Sequence, residues 1–321
     1  MPRRHSPRRG SLQFWPRKRA KRIFPRITIP SSEKDVKIEG FAGWKAGMTH
    51  VQYTDTNSKS PAYGKTITKS VTIMDVPELF VSGIKYYANT HEGKKCIGQI
   101  LTKLPKDLEK NIEKSGSSKN IDKGKSIDVN LIVVTQPSKS GMKKSKADVF
   151  ELPVTGADTK KKIEYAESLL GKEISAKDIF RVGEYIDVSA VTKGHGYKGP
   201  VKRYGIRIQT RKDKQMHRHV GSLGPTTPRR VMWQVPQAGQ YGFFTRTEYN
   251  KKIVLIGDDP KNITPKGGFL NYGLIPKSFI VVEGSVPGHK KRIIMMRKSV
   301  RAKAFQPVEL SYISLESKQG V

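Results

Sequence analysis

Apolar positions along most of this chain fall in short, strand-like runs, some alternating with polar residues, that are closed by Gly, Pro and Asn. Lys65–Val76 (KTITKSVTIMDV) carries β-branched residues at Thr66, Ile67, Thr68, Val71, Thr72, Ile73 and Val76 and predicts a strand. Phe41–Thr54 (FAGWKAGMTHVQYT) mixes glycines with apolar residues and reads as strand, turn, strand. Val81–Ala88, Asp128–Thr135 and Glu184–Thr192 read as further strands, as do Val231–Val235, Lys252–Gly257, Ser278–Glu283 and Arg292–Met296, with an edge strand over Val308–Ile313. The period switches only once. Ile163, Ala166, Leu169 and Leu170 fall at helical spacing within Lys160–Leu170, which Gly171 closes, and a short helix capped by Ser175 is expected through Phe180. The pattern predicts a closed or sandwiched β core, with residues 78–180 as an α/β insertion.

The alternation fails between residues 193 and 230. From Arg203 to Arg230 the only sizeable apolar side chains are Tyr204, Ile206, Ile208, Met216, Val220 and Leu223. Six such residues cannot form a core. Burial returns ~25 cal/mol per Å², against ~1–2 kcal/mol of backbone entropy for each ordered residue. An external partner is therefore expected to order the segment.

Charge identifies the class of that partner. The 321-residue chain has 61 Lys and Arg against 28 Asp and Glu, a formal net charge of +33. A charged thermophilic surface would raise acids together with lysines, which is not seen. The excess is concentrated in three blocks: ten basic residues in 1–26, eleven in 193–230 and seven in 287–303, with Asp213 the one acid among them. Separate basic surfaces of this kind suit a nucleic acid better than an anionic membrane. The longest apolar runs, such as Leu131–Val134, span four residues, far short of the ~20 that a membrane helix needs. The basic N-terminus has no apolar stretch of the kind a secretory signal requires. One cysteine, Cys96, leaves no internal disulfide framework, and a reducing intracellular location is expected.

Catalytic and metal-binding motifs are weak. Gly124-Lys125-Ser126 ends like a phosphate loop, but Lys119 stands where the first glycine belongs. His217 and His219 have only Asp213 as a nearby carboxylate, and no pair of acids suggests proton transfer. No cofactor, metal or small-molecule substrate is expected. The glycines at 194, 196, 199 and 205 carry more meaning. They alternate with Lys193, His195, Lys198, Lys202 and Arg203, so backbone amides can approach phosphates that the cations neutralise.

These residues resemble a known family. Phe180, Asp187, Ala190, Thr192, Gly194, His195, Gly196, Gly199 and Arg203 fall in the order and spacing of the signature of the universal large-subunit ribosomal protein L three family. FAGWKAGMT resembles that family's opening barrel motif. PRRGSLQFWPRKRAKR resembles the N-terminal arm of its archaeal and eukaryotic members, and GSLGPTTPRRVMWQVPQAGQYGFFTRTEYNKKI resembles the return from its long loop. The resemblance implies a mainly β protein built on a six-stranded barrel of the translation-protein type. On it, residues 1–39 form a basic arm, 40–77 and 181–305 the discontinuous barrel, 78–180 the insertion, 193–240 the central loop and 306–321 a tail. It further implies a non-enzymatic structural constituent of the large subunit, in the cytoplasm. Such a protein binds large-subunit rRNA, adjoins neighbouring large-subunit ribosomal proteins, supports assembly and shapes rRNA near the peptidyl transferase centre. A non-ribosomal RNA or DNA chaperone and an RNA-modifying enzyme are the alternatives.

The expected rRNA contacts in the arm are Arg3, Arg4, Arg8, Arg9, Phe14, Trp15, Arg17, Lys18, Arg19, Lys21 and Arg22. In the loop they are Lys193, Gly194, His195, Gly196, Tyr197, Lys198, Gly199, Lys202, Arg203, Arg207, Arg211, Lys212, Lys214, Arg218, His219, Arg229 and Arg230. Lys290, Lys291 and Arg292 complete the set, with Phe14, Trp15, Tyr197 and Tyr204 expected to stack on bases. Two positions depart from the family. Thr226 stands where many members carry a loop-tip tryptophan, and Lys214 where some carry a methylatable histidine, so neither of those roles carries over.

Overall fold

The computed structural model describes residues 7–29, 35–109, 116, 126–142, 144–301 and 304–317. Arg3 and Arg4 lie outside the described residues, as do Lys119, Gly124, Lys125 and most of the polar run at 113–126. The chain forms two compact units: Phe24–Ala190 with Arg246–Val321, and Met1–Ile23 with Val191–Thr245.

The larger unit is built on two sheets. In the first, strands pair in the order Ile293–Lys298, Tyr185–Val191, Thr245–Gly257, Phe279–Glu283, Thr66–Asp75, Gly40–Thr54 and Glu309–Ile313. Ile293–Lys298 also pairs with Gly40–Thr54, setting Ile294 opposite Gly43 and Met296 opposite Phe41, so the pairing of six strands closes into a ring. The strands of the ring are covered on both faces: residues 40–47, 279–282 and 293–296 are buried at every position, and Ile73, Val188 and Ile253 are buried with them. Glu309–Ile313 forms the expected edge strand, paired only to Gly40–Thr54.

One correction concerns the first long strand. Gly40–Thr54 is continuous over 15 residues, interrupted only by a register shift between Lys45 and Gly47, where a strand–turn–strand was expected. Its glycines serve close approach instead of turning the chain. A Cβ on Gly43 would lie 2.5 Å from Val76 Cγ1 and 2.7 Å from the Asp75 carbonyl oxygen. One on Gly47 would lie 2.6 Å from the Phe269 ring.

The second sheet runs Lys37–Ile38, Val149–Thr155, Asp128–Val134, Leu79–Thr90, Gly93–Leu101, with Glu173–Ile174 added beside Leu79. Gly93–Leu101 and Val149–Thr155 escaped the sequence reading because Lys94, Lys95, Glu151 and Pro153 interrupt their apolar pattern. The helix Thr159–Leu169 forms as expected, with the Asp158 side chain accepting from the Lys160 amide. Ser175 caps a single 3₁₀ turn, Ala176–Asp178, through a capping box with Asp178. Leu131, Leu152 and Ala166 belong to the same buried core as Phe41 and Ile293, so both sheets share it. No helix of the described residues is long and apolar enough to cross a membrane.

Candidate nucleic-acid interface

The smaller unit holds nine Lys or Arg in its arm and eleven in its loop, with Asp213 as its single acid. Its backbone is organised at the loop base. Gly194–Lys198 pairs antiparallel with Gly239–Gly242, the partners being Gly194 with Gly242, Tyr197 with Gln240 and Lys198 with Gly239. Gly242 adopts φ +71°, and a Cβ there would sit 2.0 Å from the Lys193 carbonyl oxygen, so only glycine closes this hairpin. A short helix, Pro200–Tyr204, follows, with proline in its first turn and Gly205 in the left-handed conformation at its end.

Arg203 ties the two limbs together. Its Nε donates to the Gln240 carbonyl at 3.0 Å and its terminal nitrogen to that of Gln237 at 2.9 Å. Charged donors on backbone carbonyls make strong bonds. Arg203 was expected to contact phosphate; its guanidinium instead staples the loop.

The arm completes the same unit. Tyr204, expected to stack on RNA bases, is only 7% exposed. Trp15 stacks on it at 6.0 Å between ring centroids, and the Arg17 guanidinium lies 4.2 Å above its ring. Arg17 also donates to the Arg203 carbonyl at 3.0 Å, Arg8 donates to that of Gln234 at 3.0 Å, and the Ala20 amide donates to that of Phe243 at 2.8 Å. Trp15 meets Trp233 edge-on at 5.0 Å. Trp15, Arg17, Arg203 and Tyr204 therefore build the unit's interior, a role that sequence reasoning missed because their partners lie up to 218 positions away. Arm and loop, read as separate extensions, are one body.

The expected contacts that stand open to solvent are Arg8, Arg9, Phe14, Lys18, Arg19, Lys21 and Arg22 in the arm, and Lys193, Gly194, His195, Gly196, Tyr197, Lys198, Gly199 and Lys202 at the loop base. In the distal loop Arg207, Arg211, Lys212, Lys214, Arg218, His219, Arg229 and Arg230 are all exposed. A local turn shapes this distal part: the Gln209 amide donates to the His217 carbonyl at 2.9 Å, and the Asp213 amide to that of Thr210 at 3.1 Å. Asp213 also accepts from the Thr210 hydroxyl at 3.4 Å. Thr226 is exposed near the tip.

Two further corrections follow. Val231–Val235 is not a strand; Val231, Met232 and Trp233 are exposed, Trp233 at 56%, and the returning strand is Gly239–Gly242. Trp233 and Tyr197, 78% exposed, are thus the open aromatics of the loop. In the larger unit, Lys291 is exposed and Lys290 half-buried, whereas Arg292 is buried at 8% exposure, and desolvation pushes its pKa down. Little of the Arg292 side chain is therefore open to a phosphate.

A mainly β chain that presents a compact, strongly basic unit has the charge distribution of nucleic-acid-associated proteins. The chain matches the family described as Ribosomal protein L3 over residues 1–125 and 101–320, and it belongs to that family. It is 46% identical to the large ribosomal subunit protein uL3 of Methanopyrus kandleri, over 98% of this chain and 92% of that protein. It is 43% identical to the proteins of the same name from Methanococcus vannielii, over 99% of this chain and 98% of that one, and Methanothermobacter thermautotrophicus, over the full length of both.

Proposed function

We propose that the chain is a structural, non-enzymatic constituent of the large ribosomal subunit that binds large-subunit rRNA through its arm-and-loop unit. The observation that carries this reading is the unit's composition: twenty basic side chains against one acid, most of them exposed, on a framework stapled by Arg203 and Tyr204. Lys and Arg there neutralise phosphates of RNA segments that would otherwise repel one another, which supports subunit assembly. Tyr197 and Trp233 offer rings on which unpaired bases stack. The ring of six paired strands is the translation-protein-type barrel of the family, and the second sheet with its helix is the α/β insertion. The distal loop, whose Lys and Arg side chains from Arg207 to Arg230 are exposed, contacts rRNA and influences the peptidyl transferase centre indirectly, by positioning RNA. Neighbouring large-subunit ribosomal proteins complete the surroundings.

The test is retention on large subunits through a high-salt wash. Wild-type protein stays bound, while loss of the whole population at moderate salt would place it among loosely bound chaperones.

A further inference from the structure

The larger unit carries an aromatic–cation site that none of the expected contacts includes. Tyr249, 53% exposed, lies on the strand Thr245–Gly257, with the Arg297 guanidinium 6.0 Å and that of Arg301 5.9 Å from its ring centroid. The site is held by one fully buried carboxylate. Asp187 accepts from the Asn250 amide at 3.1 Å, from Arg297 Nε at 3.2 Å and from the Val300 amide at 3.3 Å. Those three bonds fix the residue after Tyr249, the arginine beside it and the residue before Arg301. Asn250 is held at φ +54°, an uncommon conformation for a non-glycine residue, and its side-chain oxygen accepts from the Ser299 hydroxyl.

Tyr249 also separates two cavities. One, of about 500 Å³, is lined by Tyr53, Lys69, Lys251 and Lys252 together with Asp55 and Glu283, Glu283 pairing with Lys69 at 3.4 Å; the other, of about 160 Å³, is lined by Arg26, Thr28 and Arg297. The larger is within the ~300–1,000 Å³ range of sites that enclose a small organic group. Tyr249 is 53% exposed even with both guanidiniums over its ring, which leaves ring area for a base to stack on and Arg301 close by to pair with its phosphate. A peptide acid would use the cations and leave the ring unused.

We infer that Tyr249, Arg301 and the adjoining cavity bind one unpaired nucleotide of RNA, the base stacking on Tyr249 and the phosphate pairing with Arg301. Asp187 and Arg297 are positioning residues. The inference rests on the proposed rRNA binding and adds a second point of attachment, outside the arm-and-loop unit.

The test uses the full chain with a large-subunit rRNA transcript containing 4-thiouridine. Irradiation is expected to attach RNA to the peptide bearing Tyr249. Tyr249→Ala is expected to weaken binding about 5- to 100-fold with an unchanged salt slope, Tyr249→Phe to bind as wild type, and Arg301→Ala to lower the salt slope by about one. If the wild-type chain binds rRNA in a salt-dependent way but Tyr249 takes no crosslink and Tyr249→Ala binds within twofold of wild type, this site is overturned while the rRNA reading stands. A wild-type chain that does not bind rRNA overturns that reading and the site with it. A crosslink from Tyr249 to a protein in assembled subunits also overturns it.

Discussion

The guanidinium of Arg17 lies 4.2 Å above the ring of Tyr204 and donates to the carbonyl of Arg203, joining the N-terminal arm to a loop 187 positions further along. This contact joins two basic segments, neither able to form a core alone, into one body that carries the exposed cations. Preorganisation of this kind lowers the ordering cost of binding.

Tyr204 should therefore govern the stability of that body. Tyr204→Ala removes a buried ring and is expected to cost about 3–5 kcal/mol locally, with amides of residues 194–204 exchanging faster. Tyr204→Phe is expected to be neutral or slightly stabilising, since the buried hydroxyl has no hydrogen-bond partner among the described residues. Hydrogen exchange of the two variants checks both statements. Equal exchange in wild type and Tyr204→Ala would show that the ring does not hold the unit together.

Arg203 gives a second test. Losing its bonds to Gln237 and Gln240 should cost about 2–3 kcal/mol and open the Gly194–Lys198 hairpin to protease. Arg203→Lys should not rescue it, because an ammonium lacks the planar fork that reaches both carbonyls. Full protection in the lysine variant would show that charge alone suffices.

Stability should also fall as pH rises from about 4 to 6. Asp75 is fully buried, and burial pushes its carboxyl up to about 6, against hydrogen bonds from Tyr272 at 2.6 Å and the Gly141 amide at 3.0 Å. A folded-state pKa above the unfolded value of about 3.9 means the native state binds the extra proton between those values. Its contribution is present below pH 4 and is lost by about pH 6, on the order of 2–3 kcal/mol. Glu78 works with the opposite sign at lower pH: Lys277 and Lys139 hold it down to about 2, so its contribution is lost as pH falls below its ordinary range. Chemical denaturation at pH 4, 5 and 6 should show the decline in wild type and a flatter profile in Asp75→Asn. An identical slope in the two would assign the proton elsewhere.

The strands of the ring were largely legible because Val71–Val76, Ile253–Ile256 and Phe279–Val282 must bury consecutive or alternating apolar side chains wherever they lie. Gly43 and Gly47 misled, since a glycine that turns a chain and one that admits Val76 or Phe269 leave the same letter. The basic surface was legible as charge. Its internal frame was not: Arg17 and Arg203 look like phosphate ligands until their acceptors, backbone carbonyls with no sequence signature, are placed beside them. Arg292 shows the converse, a cation left with 8% exposure just ahead of the strand that begins at Ile293.

The central claim is that exposed cations of the loop bind rRNA phosphates, and the dependence of affinity on salt measures this most directly. Lys202, Arg207, Arg211 and Lys214 are exposed, and replacing all four by Ala leaves the Arg17–Tyr204 and Arg203 contacts in place. The slope of log affinity against log salt for full-length protein and large-subunit rRNA should become shallower by about three, at ~0.7–0.9 for each phosphate no longer neutralised. Parallel lines for wild type and the quadruple variant would contradict phosphate binding by these side chains.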